Sequence, residues 1–251
     1  MPDYKWPAMA KRKIMGQRLS RLDGPDKSSG RAKYTSDLNP QGLLQAAMLT
    51  SPYAHAKIRS IDTSAAKAIP GVTAIRTFVQ AGAEIQWAGA EIAAVSATTE
   101  EAARDAVRAI KVDWEVLPHV VKDENLAKVG TRAKAAGEQV TGDPDKAWGE
   151  ADVKLDSEYG IPVITHCCLE PHGQVISWKG NQIEYFPSTQ AVSTVASQLG
   201  TLIGVPAANI NVTCDHTGGG FGSKFPPDSW GAEAAQLSKE SGGRPVKLYL
   251  D

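Results

Sequence analysis

Cysteine is scarce in this chain of 251 residues: it occurs three times, at Cys167, Cys168 and Cys214. Iron–sulfur clusters and structural zinc sites need more ligands at short, regular spacings, so this set is too small and too badly spaced for either. We expect the adjacent Cys167 and Cys168 to be buried as small apolar side chains.

Long apolar runs and an excess of one charge are also missing. No apolar stretch approaches the ~20 residues of a membrane span, and residues 1–16 lack the apolar core of a signal peptide. The 27 basic and 28 acidic residues are interspersed, so nothing indicates nucleic acid or an anionic membrane as a partner. The composition, 42% hydrophobic and 22% charged, is typical of a soluble globular protein, and we expect a cytoplasmic one.

The known phosphate-binding glycine patterns are absent, although the segment 215–225, DHTGGGFGSKF, is rich in glycine. Counting from Gly218, the sixth position is Ser223, which breaks both the Walker A and the dinucleotide-binding patterns. Four glycines permit positive φ angles and a close approach to the main chain. The segment therefore indicates either a tight turn or a ligand held by backbone N–H groups.

The first half of the chain shows an α/β pattern. Periodicity predicts strands over residues 43–50, 56–62, 72–78, 91–98 and 111–118. Asp62 is expected to cap a short helix that ends near Ala68. Thr98 and Glu101 have the spacing of a capping box for a helix over 99–110.

The second half repeats this mixture. We predict a strand over 151–164, a hairpin over 174–188 that turns at Gly180–Asn181, a helix ending at Gly204 and a strand over 209–214. A helix capped by Ser229 and a last strand over 245–251 follow the glycine segment. Because no element follows that last strand, we expect it to be an unpaired edge and the chain to be unfinished. The glycine segment lies after a strand and before a helix, where open α/β sheets bind ligands.

Seven stretches, in order, resemble the molybdenum-binding large subunit of the xanthine dehydrogenase/aldehyde oxidase family. They are RLDGPDKSSGRAKYTSDL, SPYAHAKIRSIDTSAAKAIPGV, EIAAVSATTEEAARDAVRAIKVDWEVLP, THCCLEPHG, STQ, GGGFGSK and GRPVKL. The resemblance implies an α/β (α+β) fold with an N-terminal arm (1–24), an α/β-hammerhead domain (25–121), a linker (122–142) and the start of a molybdopterin-binding domain (143–251).

The resemblance also implies a cofactor, a molybdenum ion held by a pyranopterin, in bacterial relatives usually the cytosine dinucleotide form. The N–H groups of Gly219, Gly220, Phe221 and Gly222 are then expected to donate to the cofactor, with the Phe221 ring as a wall of its pocket. No residue of the chain is expected to ligate the metal. The implied reaction is an oxidative hydroxylation in which the oxygen comes from water.

Two residues are candidates for the substrate pocket, Glu170 and Phe225. Glu170, with His172 nearby, has the groups for acid–base work, or it organises its loop by accepting backbone N–H bonds. Purine-hydroxylating relatives typically have glutamate where this chain has Phe225, which favours an aldehyde or a less polar N-heteroaromatic substrate. Many relatives also have glutamine where this chain has Ile164. Gln190 is expected near the site at a helix N-terminus, rather than as a ligand.

The resemblance places the general base beyond residue 251, so no catalytic residue is assigned here. The chain alone is expected to be inactive and to need the C-terminal remainder of the subunit, an iron–sulfur subunit with 2Fe–2S clusters and an FAD-carrying subunit, in addition to a small-molecule substrate. The alternative is a non-catalytic remnant or an assembly protein that keeps the fold.

Overall fold

A computed structural model describes residues 5–132 and 137–250. In this part of the chain, ten strands form two sheets. They are β1 (Leu44–Thr50), β2 (Ala56–Asp62), β3 (Val72–Thr77), β4 (Glu84–Ile85), β5 (Glu91–Ala97), β6 (Lys111–Val116), β7 (Gly173–Lys179), β8 (Gln182–Pro187), β9 (Ile210–Val212) and β10 (Val246–Tyr249).

The helices are short. They are α1 (Gly24–Ser28), α2 (Ser64–Lys67), α3 (Glu100–Ala109), α4 (Pro144–Glu150), α5 (Val192–Ile203) and α6 (Asp228–Glu240), with 3₁₀ turns at Met9–Lys11, Thr35–Asp37, Asp123–Arg132 and Ala207–Asn209. None of the helices in the described ranges is long and apolar enough to cross a membrane. The mixed α/β class predicted from the sequence is confirmed.

The larger sheet has the order β3-β5-β1-β10-β7-β8-β9, and the smaller one has the order β4-β2-β6. The prediction that the last strand is an unpaired edge is wrong. β10 lies in the middle of the larger sheet, parallel to β1 and antiparallel to β7. Its Val246 and Leu248 lie on the same face and are fully buried in the core, whereas Lys247 and Tyr249 on the other face are partly exposed. Strands from the predicted hammerhead and molybdopterin-binding domains thus share one sheet.

The five strands predicted in the first half are present, but the predicted capping box is wrong. Thr99, not Thr98, caps α3, and its Oγ1 accepts the N–H of Ala102 at 3.1 Å. The N–H of Thr98 donates to the carbonyl of Gly71 beside β3, and not to Glu101 as a capping box at Thr98 would require. Asp62 does accept the N–H of Ser64, the first residue of α2.

In the second half, the hairpin and the helix end are confirmed. Lys179 pairs with Gln182, so the turn contains only Gly180 and Asn181, and α5 ends at Gly204 with a φ of +69°. The predicted Ser229 cap is wrong, because α6 already begins at Asp228 and the Ser229 hydroxyl donates to Glu91 instead.

The strand predicted over 151–164 is also wrong: the described structure has no helix or strand between α4 and β7. The apolar side chains of this segment are exposed, among them Val153, Ile161 and Val163. An alternating pattern provides an apolar face, but a strand also needs a neighbour for its N–H and C=O groups. The predicted linker 122–142 contains the turn Asp123–Arg132, and its residues 133–136 lie outside the described part.

Candidate functional site

Chain direction brings the candidate residues to one end of the larger sheet. β8 and β9 are parallel, so the segments that follow them, Ser188–Gln190 and the glycine loop (residues 215–225), leave the sheet side by side. Tyr249 of β10 pairs with Gly173 of β7, so the segment that precedes β7 also reaches this end. That segment contains Glu170 and His172.

The glycine loop has an unusual backbone. Gly219 and Gly222 have φ angles of +100° and +102°, which side chains rarely adopt. Phe221 also has a positive φ of +50°, although its ring is 71% exposed and gains little from burial. A non-glycine residue in this region costs on the order of 1–3 kcal/mol, and such strain is typical of functional sites.

Two other glycines are needed for a different reason, which is close packing. A Cβ on Gly218 would lie 2.3 Å from the Cβ of Glu170, and one on Gly220 would lie 2.2 Å from Oε1 of Gln190. At Gly218 the obstacle is the Cβ and backbone nitrogen of Glu170, so the two segments would have to separate, whereas at Gly220 the side chain of Gln190 would have to move. The loop is therefore a tight, closely packed turn, and the other alternative from the sequence, a ligand held by backbone N–H groups, stays a prediction.

The backbone N–H groups of the loop divide into engaged and free donors. Gly218 donates to the Glu170 carboxylate at 2.8 Å, and Gly222 donates to Oε1 of Gln190 at 3.0 Å. Among the residues that the structure describes, the N–H groups of Gly219, Gly220 and Phe221 have no acceptor. Consecutive free N–H groups form a concave site for an electron-rich ligand. Three of the four predicted donors are free in this way, and the fourth, Gly222, is held by Gln190.

Glu170 lies behind the loop and not in an open pocket. It is 6% exposed, and its Oε2 accepts from Gly218 and from the Ser188 hydroxyl, each at 2.8 Å. Oε1 accepts from the Tyr249 hydroxyl at 3.3 Å, and the Glu170 N–H donates to the carbonyl of Gly218 at 3.1 Å. Both carboxylate oxygens thus accept hydrogen bonds from the protein. This arrangement fits the alternative in which Glu170 holds its loop in place.

Lys224, at the end of the loop, is the residue that the sequence analysis missed. Its side chain is fully buried, and its ammonium donates to the Glu170 carbonyl at 2.6 Å and to the Ser188 hydroxyl at 2.8 Å. Its nitrogen is 3.9 Å from Oε2 of Glu170. Burial lowers the pKa of Lys224, and the negative charge of Glu170 opposes that decrease.

Three apolar side chains in and beside the loop are exposed. They are Phe221 and Phe225 of the loop and Leu169, which precedes Glu170. His166 comes within 4.0 Å of the position that a Cβ on Gly222 would take, whereas Ile164 is exposed in the irregular segment. His172 donates its Nε2–H to the Ser223 carbonyl at 3.1 Å and so supports the loop from the side.

The expectation of buried cysteines is wrong for Cys167, which is exposed with a φ of +46°. Cys168 is partly buried, 3.8 Å from the Ser223 hydroxyl. No group of metal-ligating side chains occurs in the described residues.

Two family models match the chain. The first, molybdopterin cofactor-binding domain, covers residues 126–251, and the second, the a/b hammerhead domain of aldehyde oxidase and xanthine dehydrogenase, covers residues 29–83. Two curated relatives each align with 95% of the chain. They are xanthine dehydrogenase/oxidase of Mus musculus, at 32% identity, and the molybdenum-binding subunit of an aldehyde oxidoreductase of Escherichia coli K12, at 30% identity.

The chain is also similar to solved structures. Quinoline 2-oxidoreductase from Pseudomonas putida 86 matches 96% of the chain with a TM-score of 0.82 at 27% identity. The chain spans 19% of the length of the mouse relative, and 35% of the length of both the E. coli subunit and the quinoline enzyme.

Proposed function

Because the chain belongs to the xanthine dehydrogenase/aldehyde oxidase family of molybdenum-dependent oxidoreductases, we propose that its glycine loop holds part of the molybdenum–pterin cofactor in an enzyme that hydroxylates an aldehyde or an N-heteroaromatic compound. The observation that supports this most directly is the row of free N–H donors at Gly219, Gly220 and Phe221.

The loop fits an electron-rich, bulky group. Dithiolene sulfur and oxo groups accept hydrogen bonds, and convergent main-chain donors suit acceptors that carry negative charge. Gly219 and Gly220 leave no side chain between these donors and a ligand, and Gly222 contributes a further bare position. When bound, the cofactor supplies the two-electron oxidation and transfers a water-derived oxygen. The chain's own contribution is to orient the cofactor and, through the exposed ring of Phe221, to keep water out.

Phe225 supports a choice among substrates. Its side chain is 47% exposed beside the loop, so it is available to a ligand and is not part of the core. An aromatic ring stacks on a planar substrate or packs on an alkyl chain, but it offers no acceptor to a purine N–H. Leaving that polar group unpaired costs about 1–3 kcal/mol, roughly five- to 140-fold in affinity. We therefore propose that aldehydes or less polar N-heteroaromatics are preferred over xanthine.

The enzyme needs partners beyond this chain. Relatives are three to five times longer, which implies the remainder of a molybdenum subunit. The exposed apolar side chains of the segment 153–164 provide a surface that this remainder would cover. The general base is assigned to that remainder, and Glu170 is assigned to the loop and not to the substrate. The two electrons released need carriers, so we propose 2Fe–2S clusters and FAD on partner chains, and the cytosine dinucleotide form of the pterin.

One observation favours a second candidate, a non-catalytic protein that keeps the fold. The family resemblance leads us to expect a glutamine at position 164, whereas Ile164 is exposed and has no amide to donate. Molybdenum binding without turnover of any aldehyde or heteroaromatic compound by the complete assembly would favour this candidate.

The test replaces Gly220 or Gly222 with valine in the complete enzyme and measures molybdenum per protein. Gly149→Val is the matched control, since Gly149 lies in α4 with open space around it. We expect both loop variants to lose most of the metal and the control to keep it. Equal metal content in all of them would remove the loop from the cofactor site. A higher kcat/KM for xanthine than for benzaldehyde would refute the proposed substrate class.

A further inference from the structure

A buried lysine joins the two ends of the glycine loop. Lys224 closes the loop at its C-terminal end, and its ammonium reaches back to Glu170, which holds Gly218 at the other end. We propose that Lys224 is a positioning residue that fixes the loop's free N–H donors in place through its contacts with Glu170 and Ser188. The effect of Lys224 on the cofactor rests on the proposed function, whereas its effect on the conformation of the loop does not.

The contacts of Lys224 form a closed circuit. The ammonium donates to the Glu170 carbonyl and the Ser188 hydroxyl, and Ser188 in turn donates to Oε2 of Glu170. That same oxygen accepts the N–H of Gly218. Every link is 2.6–2.8 Å long, so a displacement of one member moves the others.

The backbone of Lys224 is fixed as well. Its carbonyl accepts the N–H of Gln190 at 2.7 Å and the hydroxyl of Thr189 at 3.1 Å. The side chain of Gln190 then reaches the N–H of Gly222. Lys224 is therefore attached both to the segment before β7 and to the segment after β8, and the free donors at 219–221 lie between these attachments.

An apolar side chain would not perform this role. A buried ammonium is tolerated only with a compensating charge and hydrogen bonds, and here Glu170 and Ser188 provide them. The described part of the chain has no buried side-chain nitrogen or oxygen without a partner, so this cluster is satisfied within the protein. Such a network specifies one arrangement, since any other leaves a charge buried and unpaired.

The experiment compares three variants of the complete enzyme, Lys224→Met, Glu170→Gln and the double variant, by hydrogen–deuterium exchange. The control is Lys247→Met, which removes a lysine that donates to a backbone carbonyl, that of Ser36, outside the loop. Peptides from residues 215–225 report on the loop, and peptides from 173–187 report on the β7–β8 hairpin. Molybdenum content and the Mo(V) electron paramagnetic resonance spectrum are recorded in parallel.

We expect amide exchange in the loop to become at least tenfold faster in Lys224→Met, with exchange in the hairpin unchanged. We also expect an altered Mo(V) spectrum. The double variant should lose less than the sum of the two single variants, because it leaves no unpaired charge. The control should match the parent in every measurement.

Two outcomes would overturn the proposal. Unchanged exchange in the loop would do so whatever the molybdenum content, and an equal increase in the loop and the hairpin would make Lys224 a general stability residue. A parent enzyme without molybdenum would refute the proposed function, while exchange would still decide the role of Lys224. If Lys224→Met does not fold, Ser188→Ala removes one acceptor of the ammonium and should give a smaller change confined to the loop.

Discussion

The contact between Gly218 and Glu170 allows a quantitative prediction for the variant Gly218→Ala. The new Cβ would lie 2.3 Å from the Cβ of Glu170 and 3.2 Å from its backbone nitrogen. An ordinary carbon–carbon contact is about 3.5–4.0 Å, so the two segments must separate by more than about 1 Å. That movement breaks both reciprocal hydrogen bonds between Gly218 and Glu170.

The expected loss follows from these two bonds. The bond to the carboxylate is worth about 1.5–3 kcal/mol and the backbone bond about 0.5–1.5 kcal/mol, in total about 2–4.5 kcal/mol. At 1.4 kcal/mol per factor of ten, the loop should open roughly 30- to 2,000-fold more often. Hydrogen exchange of the loop in the complete enzyme measures this ratio directly.

Two further alanine variants test the reasoning. Gly220→Ala displaces only the flexible side chain of Gln190, so it should lose one hydrogen bond of about 0.5–1.5 kcal/mol, a change of roughly two- to twelvefold. Gly149→Ala meets open space in a helix and should stabilise α4 by up to about 1 kcal/mol. If Gly218→Ala exchanged no faster than Gly220→Ala, the clamp by Glu170 would not hold the loop.

Three other predictions follow from the same contacts. Gln190→Ala should release the Gly222 N–H and speed exchange in the loop by up to about tenfold, whereas Gln190→Glu keeps an acceptor and should not. Burial and Glu170 raise the pKa of Tyr249, so the folded state keeps a proton that the unfolded chain releases above about pH 10. Stability should therefore fall with rising pH in that range, and less steeply in Tyr249→Phe; equal slopes of thermal inactivation rate against pH would contradict this. Phe225→Glu should raise kcat/KM for xanthine relative to benzaldehyde, and an unchanged ratio would show that this position does not contact the substrate.

Elements whose signal lies within their own residues were predictable from the sequence. The hairpin around Gly180 is one, because a two-residue turn fixes the pairing, and the end of α5 at Gly204 is another. The position of β10 was not predictable, since its neighbours β1 and β7 are distant in the chain and the pattern of a strand does not name its partners. The strand predicted over 151–164 was wrong for the same reason. The segment has the alternating apolar pattern of a strand, but no neighbouring strand in the described structure pairs with it.

The candidate site divides in the same way. The composition of residues 215–225 marked the loop as a backbone site, and the four glycines have the conformational and packing reasons described above. The contacts of the loop were hidden, because Ser188 and Tyr249 lie 18 and 79 positions from Glu170, and the STQ stretch that contains Ser188 does not indicate that its hydroxyl bonds to Glu170. Lys224 was visible as a lysine after a glycine loop, a pattern that directs attention toward a phosphate and away from a buried ion pair.

The two faces of the glycine loop explain why it needs both bare backbone and a buried charge pair. Free N–H groups stabilise a ligand only if they are already oriented when it arrives, because a loop that can rearrange will satisfy its own donors. The face toward Glu170, Ser188 and Lys224 supplies that rigidity, and all of its polar side-chain groups are paired. The face at Gly219, Gly220 and Phe221 keeps its donors and an exposed ring. Because one short segment carries both faces, a substitution on the buried face should change the orientation of the free N–H groups, although the substituted residue does not contact the ligand.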